Sequence, residues 1–230
     1  MGTFQEHILS VVIPTWNDAA ELPGAIAAVA DSPLVREIMV ADGGSNDTTA
    51  AVAENAGAKI VDAPRGRGSQ LAAGAAAAGG EWLLFLHADC RLAPGWASAV
   101  ALFLSTPGAA ERAGYFDFAL DDPRPAARRL ERLVAWRCGL LGLPYGDQGL
   151  LIGRSLYDAL GGFAPILLME DVDFARRIGR RRLRPLGVAA VSSARRYQAD
   201  GFVRRPLRNL FCLSLYFAGV APQRIARLYG

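Results

Sequence analysis

The chain lacks several features that would place it in common functional classes. Lys59 is its only lysine, so nearly all of its 25 basic side chains are arginines, whose planar donor groups suit phosphate and carboxylate. A genomic codon bias towards arginine is the alternative explanation. The three cysteines are widely spaced and form no metal-ligand or redox motif, which favours a reducing compartment. No apolar run reaches the ~20 residues that a membrane-spanning helix needs.

Two nucleotide-binding motifs are also missing. The sequence contains neither GxxxxGK[ST] nor GxGxxG, which argues against a P-loop enzyme and against bound NAD or FAD. No charged or apolar leader precedes the first strand pattern at Ile8, so we expect no signal peptide and a cytoplasmic protein. The net charge of +3 is small, and we expect no nucleic-acid partner.

The first part of the chain alternates strand and helix patterns. Apolar runs at residues 8–13, 36–41, 58–63 and 81–88 have the composition of buried strands, and Asp18 is placed to cap the helix after the first. This alternation predicts an α/β fold with a mostly parallel central sheet flanked by helices. The 230 residues are enough to bury a full core.

Beyond the fourth strand the alternation becomes irregular. Residues 113–120 predict a strand, residues 128–141 predict an amphipathic helix, and further amphipathic helices close the chain. We therefore divide the chain into residues 1–93, a smaller mixed portion at 94–203 and C-terminal helices at 204–230. Because no repeat or linker interrupts it, we expect a single two-part domain.

Acidic residues stand at the ends of three apolar runs. They are Asp42, Asp89 and the pair Glu170-Asp171. The carboxyl ends of parallel strands form the rim where open α/β sheets bind ligands. Three such positions predict a site that holds a metal ion, a polyanion and a hydroxyl group needing deprotonation. This combination indicates group transfer from an activated phosphate donor.

Each acidic position also has a structural alternative. Asp42 can accept from the N–H of a uracil or guanine ring, or it can simply hold a β-turn. Asp89 can bind a divalent cation, and His87 can assist as a ligand, as a water-mediated ligand or as a donor to phosphate, or can be purely structural. Glu170 or Asp171 can act as a general base, or the pair can cap its helix.

Three polar segments are further candidates. The glycine-rich loop at residues 64–70, with Arg65 and Arg67, opens a helix and can bind an anion, or it can be a solvated basic loop. The segment at residues 145–148 can shape an acceptor pocket or merely turn the chain. Residues 195–197, Arg-Arg-Tyr, can hold a leaving diphosphate or form a solvated basic turn.

The C-terminal helices combine arginines with an apolar stretch. Arg204, Arg205 and Arg208 precede LFCLSLYF at residues 210–217. Such a helix can lie peripherally on the inner, anionic face of a membrane. The alternative is a packing helix with a polar outer edge.

Together and in this order, the motifs resemble those of the family 2 inverting glycosyltransferases, which have the GT-A fold. The matching segments are VVIPTWND (11–18), VADGGSNDTT (40–49), RGRGSQLAAGAAAAGGEWLLFLHADC (65–90), GGF (161–163) and MEDVDFARR (169–177). Within that family, the glycine-rich loop, LHAD, YGDQG and the ARRY segment look most like a bacterial subgroup associated with arsenosugar biosynthesis.

The resemblance implies roles for single residues. Asp42 matches the acid that contacts the base, and Asp89 matches the last acid of the DxD motif, which holds Mn²⁺ or Mg²⁺ on the donor diphosphate. Asp171 matches the catalytic base, and Glu170 is expected to orient the acceptor or the base. His87 stands where the family has the first acid of DxD, which lowers the negative charge at the metal.

The predicted site is completed by the loop residues considered above. The residues expected to bind the nucleotide-sugar are Pro14, Thr15, Asn17, Asp42, Arg65, Arg67, Gln70, His87 and Arg196. The residues expected to contact the acceptor are Tyr145, Asp147 and Gln148. The expected metal ligands are Asp89 and His87, and the expected catalytic residues are Asp171 and Glu170.

The predicted function is metal-dependent, inverting transfer of one hexosyl-type sugar from a nucleoside diphosphate to a small-molecule or lipid hydroxyl. The QxxRW motif of processive synthases is missing, so we do not expect polymer synthesis. A sugar nucleotidyltransferase is one alternative, but its glycine-rich, lysine-containing signature is replaced here by VVIPTWND. A non-catalytic module that binds nucleotides or lipids is the other alternative.

Overall fold

The computed structural model describes residues 7–229, and its centre is an eight-stranded sheet. The strands are β1 (Leu9–Thr15), β2 (Val35–Asp42), β3 (Lys59–Asp62), β4 (Trp82–Phe85), β5 (Cys90–Leu92), β6 (Ala113–Leu120), β7 (Leu150–Gly153) and β8 (Leu183–Ser192). Their spatial order is β3-β2-β1-β4-β7-β6-β8-β5.

Helices cover both faces of this sheet. They are α1 (Leu22–Ala30), α2 (Thr49–Asn55), α3 (Arg67–Ala77), α4 (Trp96–Leu104), α5 (Pro125–Leu141), α6 (Arg154–Ala159), α7 (Glu170–Ile178), α8 (Arg195–Asp200), α9 (Arg204–Phe217) and α10 (Pro222–Tyr229). None of the helices within the described range is long and apolar enough to cross a membrane.

The predicted α/β class and the parallel first half are confirmed. β1 pairs in parallel with β2 and with β4, and β2 pairs in parallel with β3. In the second half β7 runs antiparallel to β4 and β6, β8 runs parallel to β6, and β5 runs antiparallel to β8. The second half therefore extends the same sheet as a mixed portion, while the proposed domain boundaries stay a prediction.

The buried strand β1 supplies side chains to both layers of the core. Val12 packs with the apolar cluster that contains Leu71 of α3, whereas Val11 and Ile13 pack with the cluster that contains Ile26 of α1. This alternation follows from the two-residue period of a strand. Because buried β-branched side chains fill both faces, β1 lies inside the sheet, and its carboxyl end points to the rim with those of β2 and β4.

Several element boundaries differ from the prediction. The fourth strand ends at Phe85, and the chain then turns, with the Cys90 N–H donating to the His87 carbonyl. The assumption that the strand continues through residue 88 was therefore wrong. The first helix begins at Leu22 and is preceded by Glu21, so Asp18 does not cap it. Strand β5 and helix α8 were not predicted, since each is too short to show a period.

Candidate active site

A cleft at the carboxyl ends of the central strands collects side chains that are distant in the sequence. Its volume, including the part open to solvent, is about 760 Å³. Among its lining residues are Arg67, His87, Asp89, Tyr145, Asp147, Asp171 and Arg196. A larger open groove continues from this cleft along Pro14, Thr15, Arg65 and Gln70. The structure thus brings most of the predicted site together.

His87 lies in the cleft among charged side chains of both signs. Burial lowers the pKa of its imidazole, and the charge of Arg67 acts in the same direction, whereas the carboxylates of Asp89 and Asp171 oppose them. Both carboxylates are therefore close enough to act on the same ring. Nε2 is buried without a hydrogen-bond partner and faces Gly146, so His87 is a neutral ring held in the cleft wall.

Asp171 is held at the start of α7. Its Oδ2 accepts a hydrogen bond of 2.9 Å from the Gly146 N–H, and its Oδ1 accepts from the Val172 N–H at 2.7 Å. Met169, two residues earlier, has a left-handed backbone with φ of 68°. Such strain in a residue other than glycine persists where the surroundings over-determine it, commonly at functional sites. Asp171 is therefore fixed in direction at the cleft wall.

Glu170 lies behind Asp171 and has no exposed surface. Arg67 Nε is 3.1 Å from its Oε1, but neither carboxylate oxygen receives a well-aligned hydrogen bond. Burial raises the pKa of this carboxyl, and the nearby charge of Asp171 raises it further, while Arg67 opposes the shift. Glu170 borders a smaller apolar cavity and not the main cleft, which fits an orienting role better than direct proton transfer.

The segment at residues 145–148 forms one wall of the cleft. The Tyr145 ring stacks on the Arg137 guanidinium at 3.4 Å, and burial raises the pKa of the Tyr145 hydroxyl to about 12. Gln148 is buried, donates to the Phe116 carbonyl and accepts from Arg137 and the Tyr145 N–H. Tyr145 and Asp147 thus line the cleft, whereas Gln148 supports this wall from the core. Acceptor contact by all three stays a prediction.

Asp147 should make stability depend on pH. Burial raises its pKa from 3.8 to about 6, and its Oδ1 has no partner. The folded protein binds the Asp147 proton more tightly than the unfolded chain does. Protonation of Asp147 therefore stabilises the folded state fully below pH 3.8, and this contribution is lost as the pH rises towards 6. As the pH rises across this range, the stability of Asp147→Asn should exceed that of the wild type by up to about 3 kcal/mol, measured by urea unfolding. Parallel pH profiles would contradict the burial of this charge.

The Asp42 carboxylate forms hydrogen bonds within its own turn and with Thr15. One oxygen accepts from the hydroxyls of Thr15 and Ser45, and the other accepts from the N–H groups of Gly44 and Ser45. The structural alternative for Asp42 is therefore realised, and its contact with a nucleotide base stays a prediction. Through Thr15, Asp42 is one hydrogen bond from the groove.

Two polar side chains fasten the loops beside Asp42. The Gln70 Nε2 donates to the carbonyls of Thr15 and Ala41, which joins α3 to the ends of β1 and β2. Asn17 Oδ1 accepts from the Asn46 N–H and thereby ties the loop after β1 to the turn after β2. Gln70 lines the groove, whereas Asn17 lies outside its lining, and the contact of both residues with the nucleotide stays a prediction.

The predicted arginines occupy different parts of the site. The guanidinium of Arg65 stacks on the exposed ring of Trp16 at 3.5 Å. Arg196 Nη2 lies 4.0 Å from Asp89 Oδ2. Arg196 belongs to α8, so the alternative of a solvated basic turn is wrong, and its contact with the diphosphate stays a prediction.

Some residues of the cleft were missed in the sequence. Asp18 borders the groove, where burial raises its pKa and the charge of Asp89 raises it further. Its place at the end of VVIPTWND was the available signal. Arg205 and Asn209 of α9 line the main cleft, although α9 was considered only as a membrane or packing helix.

The donor set fits a cation that is shared with a substrate. Among residues 7–229, no three His, Cys, Asp or Glu side chains converge on a complete metal site. Asp89 and His87 bring a carboxylate and a neutral imidazole to the lining of one cleft. Mg²⁺ and Mn²⁺ usually keep waters and bind substrate phosphates besides one or two protein ligands. These two residues therefore suit a phosphate-bound divalent cation.

The sequence matches a known family. Residues 10–164 match the model for Glycosyl transferase family 2. The chain belongs to this family. The family 2 glycosyltransferase and the α/β fold inferred from the motifs are thereby confirmed.

Solved structures share the fold of this glycosyltransferase. One is glucosyl-3-phosphoglycerate synthase from Mycobacterium tuberculosis with Mn²⁺, UDP and glucosyl-3-phosphoglycerate, at 22% identity and a TM-score of 0.62, covering 90% of this chain and 79% of that one. The same synthase with Mn²⁺, UDP-glucose and phosphoglyceric acid has 23% identity and a TM-score of 0.62, covering 94% and 81%. At these identities the likeness establishes the shared fold.

Curated relatives match a shorter segment of this glycosyltransferase. The PGL/p-HBAD biosynthesis glycosyltransferases of Mycobacterium tuberculosis and Mycobacterium bovis are 36% identical over 93 residues, which cover 37% of this chain. The match spans 36% of the length of those relatives. Their activity therefore does not transfer directly to this chain.

Proposed function

We propose that this family 2 glycosyltransferase moves one sugar from a nucleoside-diphosphate-sugar to a hydroxyl acceptor, with inversion at the anomeric carbon. The observation that carries the proposal is the shared cleft of Asp89 and Asp171, whose carboxylates act on the same imidazole of His87. One carboxylate is placed to serve the donor diphosphate and the other the acceptor.

Asp171 acts as the general base. The acceptor oxygen forms a bond to the anomeric carbon while its proton passes to Asp171, and the bond from that carbon to the diphosphate oxygen breaks with its electron pair. A single displacement of this kind inverts the anomeric configuration. The hydrogen bond from Gly146 holds one oxygen of Asp171, so the base is already oriented when the acceptor arrives.

The donor diphosphate lies on the side of Asp89. Asp89 and His87 hold Mn²⁺ or Mg²⁺, which when bound neutralises charge on the diphosphate. Arg196, beside Asp89, adds a positive charge where negative charge develops on the leaving group. Arg65, which lines the groove, is placed to act on the same group.

The solved relatives support a uridine nucleotide and a hexosyl group. Structures of glucosyl-3-phosphoglycerate synthase hold Mn²⁺ with UDP-glucose and either phosphoglyceric acid or glycerol 3-phosphate. A UDP-hexose donor and a small or lipid-linked hydroxyl acceptor are the corresponding proposals for this chain. The narrower assignment to the arsenosugar subgroup has no support from these relatives, and the cytoplasmic location likewise stays a prediction.

Asp89→Ala should weaken metal-dependent nucleotide binding. We expect the affinity for UDP in the presence of Mn²⁺ to fall at least about tenfold, because one of two protein ligands is lost, while the metal-free affinity stays the same. Calorimetry with and without Mn²⁺ measures both. Asp62→Ala is the matched control, since Asp62 is exposed at the end of the edge strand β3. Equal Mn²⁺-dependent affinity in the wild type and Asp89→Ala would refute the metal role.

Product analysis separates the proposed reaction from its alternatives. Incubation of the protein with Mn²⁺ and UDP-sugars or GDP-sugars should release the nucleoside diphosphate slowly, through hydrolysis of the donor. A nucleotidyltransferase would instead release pyrophosphate from a nucleoside triphosphate and a sugar phosphate. A binding module would release neither product, which would overturn the proposal.

A further inference from the structure

Helix α9 presents two different faces. Its inner face places Arg205 and Asn209 in the catalytic cleft and buries Cys212 and Leu213 in the core. The helix was expected, as one alternative, to pack with a polar outer edge. Its inner face does pack, but the outer edge is apolar, so that part of the expectation was wrong.

The outer face of α9 exposes large apolar side chains. Leu207, Leu210 and Phe211 are 59%, 57% and 57% exposed. Their spacing of three and four residues places them on one side of the helix. Thirteen large hydrophobic side chains in residues 7–228 are exposed, and six of them lie within residues 203–228. Such a concentration marks an interaction surface, since isolated exposed side chains would be ordinary.

The charged side chains of the same segment are all positive. Residues 201–230 contain five arginines and no acidic residue. The whole chain has a net charge of +3, so residues 1–200 sum to −2 (+3 minus +5). Asp200 forms ion pairs with Arg205 and Arg208, while Arg204, Arg224 and Arg227 are exposed. The apolar face thus lies in a basic segment at the end of the described chain.

We propose that the outer face of α9, together with the arginines of α9 and α10, docks on an anionic lipid surface. An in-plane amphipathic helix binds such a surface through buried apolar side chains and through arginines that attract acidic headgroups. A second copy of the chain is a poorer occupant, because a two-fold contact would place this basic segment against itself.

The docking surface is coupled to the cleft by the helix itself. Because the opposite face of α9 lines the cleft, the docked protein would hold its acceptor side near the headgroups. Taken with the proposed function, on which this last step rests, the placement favours a lipid-linked hydroxyl acceptor. The docking itself does not depend on the reaction.

Vesicle sedimentation tests the docking. The full chain should bind phosphatidylcholine vesicles that contain phosphatidylglycerol, bind pure phosphatidylcholine far more weakly, and dissociate as salt is added. Phe211→Ser and Leu207→Ser should each lower partitioning about tenfold, because each removes one apolar side chain from the lipid contact. Leu102→Ser is the matched control, since Leu102 is 71% exposed on α4, and it should bind like the wild type.

Other outcomes of these experiments would contradict the docking proposal. Equal binding to both kinds of vesicle, or unchanged binding of Phe211→Ser and Leu207→Ser, would overturn the proposal. A concentration-dependent dimer that Phe211→Ser dissociates, with no vesicle binding, would make this face a contact between copies instead. Mn²⁺-dependent UDP binding should be the same in every variant, so failure of docking is distinguishable from failure of the proposed function.

Discussion

Asp171→Asn should lower the rate of sugar transfer by about 10²–10⁴ while nucleotide binding is retained. The amide oxygen can still accept the hydrogen bond from the Gly146 N–H, although the bond from the Val172 N–H is lost, and the amide cannot take the acceptor proton. Because Asp171 lies on the acceptor side in the proposed mechanism, the donor contacts remain. Turnover kinetics and calorimetry with UDP and Mn²⁺ measure the two effects separately.

Asp173→Asn is the matched control for this experiment. Asp173 lies in the same first turn of α7, but it pairs with Arg177 and accepts from the Tyr216 hydroxyl. It does not line the cleft, so its loss should lower the thermal stability and leave the turnover number close to that of the wild type. Wild-type turnover by Asp171→Asn, or an equal loss of turnover in both variants, would show that Asp171 is not the base.

Gly146→Ala should reduce kcat/KM by about 10²-fold, the scale of a displacement of about 1 Å in an active site. A Cβ at this position would lie 2.3 Å from His87 Nε2 and 2.8 Å from His87 Cε1. Either the imidazole or the loop must therefore move. Since the Gly146 N–H also holds Asp171, one methyl group disturbs both the proposed metal ligand and the base.

Steady-state kinetics and Mn²⁺-dependent UDP binding should both be impaired in Gly146→Ala. The crowding also costs about 1–3 kcal/mol of stability, so thermal unfolding must establish that the variant is folded at the assay temperature. Gly139→Ala is the control, because its Cβ would meet nothing within 4 Å. In the interior of α5 it should stabilise the protein by about 0.5–1 kcal/mol. A fully active Gly146→Ala would show that His87 needs no fixed position.

The sheet was predictable because its central strands are buried on both sides. Continuous apolar runs such as ILSVVI and REIMVA have no other stable placement in a chain of this size, and the intervening helices require parallel pairing. The short elements were not predictable. Strand β5 has three residues and helix α8 has six, so neither repeats its pattern often enough to be recognised.

The kind of chemistry at the site was predictable, but the role of each residue was not. Carboxylates at strand ends and a glycine-rich loop indicated a donor phosphate, a cation and a base. The sequence could not separate Glu170 from Asp171, because neighbouring residues share every local pattern. In the structure one is buried against Arg67 and the other faces the cleft. Similarly, the motif predicted that Gln148 contacts the acceptor in the cleft, whereas in the structure its side chain is buried and bonds to the Phe116 carbonyl.

The sequence by itself determined the alternation of strands and helices in the first half, the family and the residue types that reach the rim. The tertiary structure alone decided which atoms meet there: Gly146 against His87, Asp171 on the Gly146 N–H, and α9 as both a wall of the cleft and an exposed apolar face. The reason is physical. Periodicity reports how each segment buries its own side chains, whereas the direction of a side chain in a cleft depends on the packing of elements that are far apart in the chain.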